Sequence, residues 1–272
     1  MVQMKELSVI IVTYNSEPDI YGCLEALYAH NDLGEGLEVI VVDNGSKHFK
    51  SMQEELNRLY GERITILCNT HNGGYGQGNN IGIRKASSPV VMIMNPDVRL
   101  VQMSYREIVS LYKQDKNLAI CGFKQIVNLN GKRGTSFSML NHYNGLLRLV
   151  GGVLANRLNC FCGRFMYFCG ACFCVRKEFF EKAGLFDETI FLYGEENDIH
   201  YRIHKACPKA HDVYLRKTVY LHPTEDRPYS EKAVQLRIQS NEYVMRKQGR
   251  KQGTYIHSEE QRIKWAMRLV KR

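Results

Sequence analysis

Four groups of polar residues in the first hundred positions each follow directly after an apolar run. They are Thr13-Tyr14-Asn15, Asp43-Asn44-Gly45-Ser46, Asn72 to Gly82, and Asn95-Pro96-Asp97. Carboxylate and amide oxygens can hold a hard divalent cation or hydrogen-bond a polar ligand. A single group could be a simple turn, because Asn, Asp and Gly favour turns. Four groups in succession favour a binding site.

A further polar group, Glu195-Glu196-Asn197-Asp198, stands at the start of a helix predicted later in the chain. Acidic residues are common in a first helical turn because they complement the helix dipole. A partly desolvated carboxylate at this position can also take a proton from a hydroxyl group. The segment is therefore either a structural helix start or a source of acid and base groups.

The elements that must position these residues alternate between strand and helix. The apolar, β-branched runs Leu7 to Thr13, Leu37 to Asp43, Ile64 to Cys68 and Val90 to Met94 predict strands buried on both faces. Helical patterns lie between them. This α/β alternation predicts a mostly parallel sheet flanked by helices, with the ligand beyond the carboxyl ends of the strands.

Later in the chain the pattern continues with fewer alternations. Phe165 to Arg176 predicts one strand, Lys177 to Ala183 a short helix, and Val213 to Leu221 a strand that ends at His222. Residues 125–164 contain an apolar stretch that predicts a helix, either a packed surface helix or part of a second binding site.

The segment Gly73 to Gly82 holds five glycines and leads into a helix. Glycine permits close backbone approach, and a helix N-terminus favours an anion. The spacing does not match the dinucleotide-binding GxGxxG pattern, because Ile81 stands at the third glycine position, and no Walker lysine follows. A phosphate-bearing ligand of another kind remains compatible with this segment.

Taken together, these motifs resemble family 2 of the glycosyltransferases, over roughly residues 7 to 222. Members carry T-Y-N, V-V-D-N-x-S, an N-x-G-x-x-x-G-N-N-x-G loop, D-x-D or N-P-D, and later a G-A…R…F-D-E segment before an acidic helix start. The N-P-D form is similar to the branch of bacterial rhamnosyl- and galactofuranosyltransferases. The resemblance implies a GT-A fold, inverting transfer from a nucleoside diphosphate sugar, and Mn²⁺ or Mg²⁺ as cofactor.

The resemblance also implies roles for individual residues. Glu196 corresponds to the general base, and Glu195 and Asp198 to residues that orient the acceptor. Asp97 and His222 correspond to metal ligands, although a histidine at a strand end can equally be structural. The donor is expected to contact Thr13, Tyr14, Asn15, Asp43, Asn44, Asn72, Asn79, Asn95 and Asp97, with Asp43 accepting a hydrogen bond from a pyrimidine.

Two departures from the family pattern bear on these roles. Asn95 replaces the first aspartate of D-x-D, which removes one carboxylate from the metal site. Glu196 stands where E-D-x-D has its first aspartate, and a glutamate is equally able to act as a base. Residues 125–164 match the family least and are expected to shape the acceptor site.

Composition limits the class of protein. The chain has 272 residues, 44% of them apolar and 24% charged, which excludes a disordered or fibrous protein.

Its nine cysteines are odd in number and unevenly spaced, and they include Cys160, Cys162, Cys169, Cys172 and Cys174. A zinc site is one interpretation of this group, but reduced core thiols in a cytoplasmic protein fit the spacing better. No secretory signal or transmembrane span is predicted.

Most of the positive charge lies in the C-terminal stretch. Residues 246–272 contribute +7 of the net +9, so the remainder is almost neutral and nucleic acid is not an expected partner.

We divide the chain into a glycosyltransferase-like domain, 1–224, and a helical basic extension, 225–272. The last ten residues place Trp265 opposite several basic side chains, as in a helix at a membrane surface. Docking on the chain's own domain or on a second copy in a homodimer explains the pattern equally well.

Two other function classes fit part of the sequence. A non-catalytic protein that binds a nucleotide sugar would have no need of both Asp97 and Glu196. A nucleotidyltransferase would be expected to carry a basic, glycine-rich loop after the first strand, where this chain reads TYNSEPDI. The sequence therefore favours a glycosyltransferase acting on a saccharide or lipid-linked saccharide in surface polysaccharide synthesis, such as lipopolysaccharide or capsule. Such an enzyme would be cytoplasmic, or peripheral on the inner face of the membrane.

Overall fold

The computed structural model describes residues 4–140, 145–223 and 230–250. Within them, an eight-stranded sheet has the order β3-β2-β1-β4-β9-β6-β10-β5, and β7 pairs with β8 in a small second sheet. The strands are β1 (Leu7–Thr13), β2 (Leu37–Asp43), β3 (Ile64–Cys68), β4 (Val90–Met94), β5 (Arg99–Gln102), β6 (Leu118–Ile126), β7 (Phe137–Met139), β8 (Met166–Phe168), β9 (Cys172–Arg176) and β10 (His211–Leu221).

The direction of the strands decides which residues meet. Strands β1 to β4 are mutually parallel, and β6 is parallel to β10. Strand β9 runs antiparallel to both β4 and β6, and β5 runs antiparallel to β10. The carboxyl ends of β1 to β4, β6 and β10 therefore share one edge of the sheet with the amino ends of β5 and β9. The expectation of a mostly parallel α/β fold is confirmed.

Helices cover both faces of the large sheet. They are α1 (Glu17–Ala29), α2 (Phe49–Tyr60), α3 (Gly74–Lys85), α4 (Tyr105–Gln114), α5 (Gly145–Leu158), α6 (Lys177–Lys182), α7 (Glu195–Ala206) and α8 (Glu231–Lys247). Apolar residues of α1, α2 and α4 form one core with the sheet, and those of α3, α6 and α7 form the other. Alternate residues of β1 enter opposite cores, which explains its unbroken β-branched run.

The glycine-rich segment corrects one prediction. Helix α3 begins at Gly74, so most of these glycines lie inside a helix and not in a ligand-facing loop. A Cβ on Gly78 would lie 2.6 Å from Val12 Cγ1, and a Cβ on Gly82 would lie 2.5 Å from Ile10 Cγ2. Their absent side chains thus allow α3 to pack closely on β1.

The segment predicted as one strand, Phe165 to Arg176, is two strands in different sheets. Strand β8 pairs with β7, and β9 enters the large sheet between β4 and β6. Gly170 lies in the connection between them. The prediction is wrong here because both halves are apolar, and hydrophobicity alone does not mark the change of sheet.

The cysteines and the C-terminal region complete the fold. All nine thiols are free. The prediction of core thiols is confirmed for Cys172 and Cys174, which lie in the core, and is wrong for Cys160 and Cys162, which are exposed. Helix α8 packs against the segment before α7, with Val244 and Met245 buried. The predicted basic helix around Trp265 lies outside the described residues. Within them, no helix has both the length and the apolar character needed to span a bilayer.

Candidate active site

The turn after β2 is held by one buried carboxylate. Asp43 Oδ1 accepts hydrogen bonds from the backbone N–H groups of Gly45, at 3.1 Å, and Ser46, at 2.9 Å. Its Oδ2 accepts from Thr13 Oγ1, at 3.1 Å, and from the Ser46 hydroxyl. Both oxygens are fully used, since a carboxylate has about four acceptor sites. Asp43 thus joins the ends of β1 and β2, and its direct bond to a pyrimidine stays a prediction.

The residues after β1 are positioned by the same turn. Asn15 has a left-handed backbone, φ 51°, which Asn tolerates better than most residues. Its N–H donates to Ser46 Oγ at 2.8 Å, and its Oδ1 accepts from the N–H of Lys47 at 2.9 Å. Tyr14, between this turn and the buried Thr13, is 49% exposed. Tyr14 is therefore available as an aromatic surface for a ligand.

An amide network organises the loop before α3. Asn44 Nδ2 donates to the carbonyl oxygen of Gly74 at 2.9 Å, and Asn44 Oδ1 accepts from Asn69 Nδ2 at 3.1 Å. Asn72 Oδ1 accepts from the N–H of Gly74 at 3.0 Å. Asn79 is buried within α3, and its side chain donates to the carbonyl of Tyr75 at 2.9 Å. Asn44 and Asn79 thus support the loop from inside, whereas Asn72 lies at its partly exposed surface.

A carboxylate and an imidazole meet after β4 and β10. Asp97 Oδ2 lies 3.3 Å from His222 Nε2, although 125 positions separate the two residues in the chain. The Asp97 side chain is 21% exposed and that of His222 is 9% exposed. Asn95 precedes Asp97 and its N–H bonds to Ala171 O at 2.9 Å, which ties this loop to β9. One carboxylate and one imidazole nitrogen at this spacing fit a divalent cation that keeps further positions for ligand oxygens.

Glu196 lies at the first turn of α7 against the connection between β8 and β9. A Cβ built on Gly170 would lie 2.0 Å from Glu196 Oε1, so only glycine leaves room for this carboxylate. Burial raises the pKa of Glu196 above its ordinary value, opposed by backbone N–H groups that include those of Gly170 and Gly194. The side chain keeps partial exposure. These are the surroundings of a base that works nearer to neutral pH.

The backbone before α7 is sharply turned. Tyr193 has φ 72° and Gly194 has φ 97°, so two successive residues adopt left-handed conformations. This conformation is costly for tyrosine and is found where surrounding structure enforces it. The turn brings the first residues of α7 to the ligand edge of the sheet.

Glu195 is buried beside Glu196. It is 1% exposed, and its Oε1 has no hydrogen-bond partner within the described ranges. Burial, and after it the charge of Glu196, raise the pKa of Glu195 well above its ordinary value. Glu195 is thus held as a neutral acid over a wider pH range than an ordinary glutamate.

Asp198 points away from this pair into an ion network. Its Oδ2 accepts from Arg202 Nε at 2.7 Å and from Lys247 Nζ at 3.1 Å. Lys247 also donates to Asp187 Oδ2 at 2.6 Å, to which Tyr243 donates at 3.0 Å. Burial alone would raise the pKa of Asp187, but these donors hold it well below its ordinary value. The Oδ2 atom of Asp198 therefore attaches α8 to α7, and the contact from Asp198 to an acceptor stays a prediction.

Sequence reasoning missed Tyr75 and Gly170 as site residues. Tyr75 donates from its hydroxyl to the Gly170 carbonyl at 2.6 Å, which ties α3 to the connection below Glu196. Burial and the charges of Glu196 and Glu195 raise its pKa well above the ordinary value, so it stays a neutral donor. The G-A motif of the sequence contains Gly170 and could have identified it as a site residue. No sequence motif around Tyr75 identifies that residue.

Comparison with known proteins decides the family. Residues 8–184, more than half of the chain, match the family model described as Glycosyl transferase family 2. The chain belongs to this family. The resemblance drawn from the motifs is confirmed at the level of the family, while the rhamnosyl- and galactofuranosyltransferase branch is not.

Curated relatives of this family 2 chain share about a quarter to a third of their aligned residues with it. A low-salt glycan biosynthesis hexosyltransferase, Agl10 of Haloferax volcanii, is 29% identical over 212 residues, which are 73% of this chain and 62% of the relative. A teichoic acid poly(glycerol phosphate) polymerase of Staphylococcus epidermidis is 25% identical over 151 residues, 53% of this chain and 21% of the relative. The chain thus spans less than two thirds of either relative.

Solved structures share the fold at lower identity. The mannosyltransferase PcManGT of Pyrobaculum calidifontis, in complex with GDP-Man and Mn²⁺, aligns with TM-score 0.65 and 16% identity over 90% of this chain and 64% of its own. GalNAc-T7 with UDP, GalNAc and Mn²⁺ aligns with the same score and identity over 90% of this chain and 48% of its own. These similarities confirm the GT-A fold.

Proposed function

We propose that the chain is an inverting glycosyltransferase that moves a sugar from a nucleoside diphosphate to a hydroxyl group of a saccharide or lipid-linked saccharide. The observation that carries the proposal is the meeting of Glu196 and the Asp97–His222 pair at one edge of the sheet. A base and a cation-binding pair are the two components that such a transfer needs.

The donor binds, in this proposal, across the ends of β1, β2 and β4. Tyr14 and the turn held by Asp43 face the nucleoside, and Asn72 and Asn95 lie at the loops on either side. Asp43 and Asn44 act by holding this turn and the loop before α3, because their side chains bond to the protein. Asn79 donates to the Tyr75 carbonyl, and its buried Oδ1 has no hydrogen-bond partner within the described ranges. Asp97 and His222 hold Mn²⁺ or Mg²⁺, which would neutralise charge on the diphosphate.

The chemical step proposed for Glu196 is proton removal from the acceptor hydroxyl. The acceptor oxygen forms a bond to the anomeric carbon as the bond from that carbon to the diphosphate oxygen breaks on the opposite face. The proton passes to the Glu196 carboxylate, and the electron pair leaves with the diphosphate. Glu195, kept neutral by burial, can donate a hydrogen bond near the acceptor without repelling it.

The relatives support the class of substrate. The Haloferax protein is named a hexosyltransferase of glycan biosynthesis, and the Pyrobaculum structure contains GDP-Man and Mn²⁺. We extend both features to this chain as a hexosyl donor and a divalent cation. Surface polysaccharide synthesis, and peripheral membrane contact through residues 251–272, remain the proposed setting. Liposome flotation with and without residues 251–272 tests the membrane contact.

The decisive experiment is a panel of UDP-, dTDP- and GDP-sugars assayed for binding and turnover with and without Mn²⁺. Selective, cation-dependent turnover of one donor, absent from Glu196→Gln, is the expected result. Binding without turnover in the presence of acceptor would indicate a non-catalytic nucleotide-sugar protein. Release of pyrophosphate from a nucleoside triphosphate and a sugar phosphate would indicate a nucleotidyltransferase.

A further inference from the structure

A second cluster of metal-ligating side chains lies on α7 and β10, outside the proposed donor and acceptor contacts. His200 Nδ1 is 3.2 Å from Asp212 Oδ2, and His204 Nε2 is 3.0 Å from the same oxygen. The ligand atoms of the three residues all lie within 4.8 Å of one another. The side chains of Asp212 and His200 are 0% and 5% exposed, and that of His204 is 27% exposed.

The spacing of these residues follows from secondary structure. His200 and His204 are four residues apart, which places both on one face of α7. Two histidines at this spacing on one helical face are a recurrent zinc-binding arrangement. Strand β10 supplies Asp212 as the third group, through a register set by the sheet and not by local sequence.

The distances are close to those of a coordination shell. Zinc binds imidazole nitrogen and carboxylate oxygen at about 2.0–2.2 Å in a tetrahedral geometry, so neighbouring ligand atoms stand roughly 3.3–3.5 Å apart. The two separations from Asp212 are slightly shorter than this value. These two separations would have to widen by a few tenths of an ångström around an ion, and the third, between the two imidazole nitrogens, is at most 4.8 Å.

The tautomer of His200 gives a second, independent indication. Its Nε2 lies 3.1 Å from the carbonyl oxygen of Gly163, which can only accept, so Nε2 carries the hydrogen. The other ring nitrogen, Nδ1, faces the Asp212 carboxylate and lies 3.2 Å from its Oδ2. Nδ1 makes no hydrogen bond in the described part of the chain, and neither does the buried Asp212 Oδ1. A cation bound between the imidazole and the carboxylate would give both buried groups a partner.

The contact with Gly163 is also the usual second partner of a metal-binding histidine. Such histidines donate their other ring N–H to a carboxylate, a backbone carbonyl or water, which fixes the ring. A Cβ on Gly163 would lie 3.3 Å from Asp212 Oδ2, so this glycine packs directly on the cluster.

The cluster opens into a cleft of about 670 Å³. Arg164, Lys205 and Arg250 line this cleft, so its charge is positive outside the cluster itself. Three protein ligands leave one tetrahedral position open toward the cleft, and the basic side chains would favour water as hydroxide or a small anion there.

We propose that His200, His204 and Asp212 form a binding site for a divalent transition-metal ion of the zinc type, separate from the cation held by Asp97 and His222. The ion joins α7 to β10 and the 163 loop. Because Glu196 lies one turn before His200 on the same face, the ion also fixes the helix that carries Glu196. This inference does not depend on the proposed transfer reaction.

The test is metal binding by the full chain, stripped with a chelator and titrated with Zn²⁺ against a chromophoric competitor. The wild type is expected to retain one tight ion per chain and to melt at a higher temperature with Zn²⁺ present. Co²⁺ in the same site should give the visible absorption of a four-coordinate ion. His204→Ala should weaken binding by more than the ~10–100-fold that loss of an outer-shell partner costs.

Two controls keep the result specific. His211→Ala removes another histidine of the same cleft that pairs with Asp115 at 2.8 Å, and it should bind Zn²⁺ as the wild type does. Asp97→Asn should also retain the tight ion, because it alters the other site. His204 is partly exposed, so its replacement is expected to fold, and circular dichroism checks this.

Either of two outcomes would overturn the proposal. One is a wild-type chain that gives up all Zn²⁺ to the competitor, which would leave the cluster as a hydrogen-bonded His–Asp–His group. The other is equal affinity in the wild type, His204→Ala and Asp212→Asn, which would place the ion elsewhere.

Discussion

Replacing Gly170 by alanine should disable Glu196 without unfolding the protein. The added Cβ would lie 2.0 Å from Glu196 Oε1, whereas ordinary contact begins at 3.4 Å, so this oxygen must move by about 1.4 Å. The added Cβ would also lie 2.8 Å from Glu196 Cδ and 2.9 Å from its Cγ, so the whole flexible side chain has to turn away, while the backbone stays in place. A misplacement of about 1 Å can cost roughly 100-fold in rate, and general-base catalysis contributes about 10²–10⁴-fold. We therefore expect kcat to fall at least ~100-fold.

The assay is steady-state transfer with the donor identified by the panel, together with donor binding and thermal unfolding. Gly152→Ala is a matched control, since a Cβ there meets nothing within 4 Å and α5 tolerates alanine. Because Gly152 lies in the region expected to shape the acceptor site, the readouts of the control are donor affinity and Tm, which should both stay at the wild-type values. For Gly170→Ala, donor affinity and Tm should stay near the wild-type values while kcat falls.

The result that would refute this reasoning is normal transfer by Gly170→Ala. It would mean that the position of Glu196 is unimportant for proton removal. If Gly170→Ala loses activity but Glu196→Gln keeps it, the connection before β9 acts through another group, and the assignment of the base is wrong.

Three further predictions concern the cation pair and the buried acids. Asp97→Asn should raise the Mn²⁺ concentration that half-activates transfer by more than the ~10–100-fold that loss of an outer-shell partner costs, and unchanged Mn²⁺ dependence would contradict the assignment. Glu195→Gln should raise stability at neutral pH. Because the pKa of Glu195 is raised in the folded state, wild-type stability falls as pH rises above the ordinary value of 4.5. Denaturant titrations at several pH values should show a flatter profile of stability against pH for the variant. Lys247→Met should cost about 1–3 kcal/mol of stability at neutral pH, because the partly exposed Lys247 bonds both Asp187 and Asp198. The pKa of Asp187 is lowered in the folded state, so this loss should shrink as pH falls below its ordinary value of 3.8; a loss independent of pH would contradict the pairing.

Strands β1 to β4 and helices α1 to α3 could be predicted because their signals are local, whereas strands β5, β6 and β7 were not predicted. Strands β1 to β4 begin and end at the predicted residues, since a strand buried on both faces needs an unbroken apolar run. The division between β8 and β9 could not be predicted, because both are apolar and only pairing with different sheets separates them. The glycines of α3 could not be assigned either, since their reason is contact with β1.

The candidate site was predicted as a group of positions but not as a set of roles. Asp43 and Asp198 resemble ligand-binding residues by type and position. Hydrogen bonds from Thr13 and Ser46, and ion pairs with Lys247, commit their carboxylates to the protein. Such partners come from distant parts of the chain, so sequence spacing does not reveal them.

The sequence by itself determined the family, the α/β fold and the edge at which the polar groups collect, because each depends on motifs and on the period of apolar residues. The tertiary structure alone decided that Gly170 makes room for Glu196 and that Asp212 meets two histidines of α7. These contacts join residues brought together by strand order and register. Strand order is set by the packing of the whole sheet, which no local segment encodes.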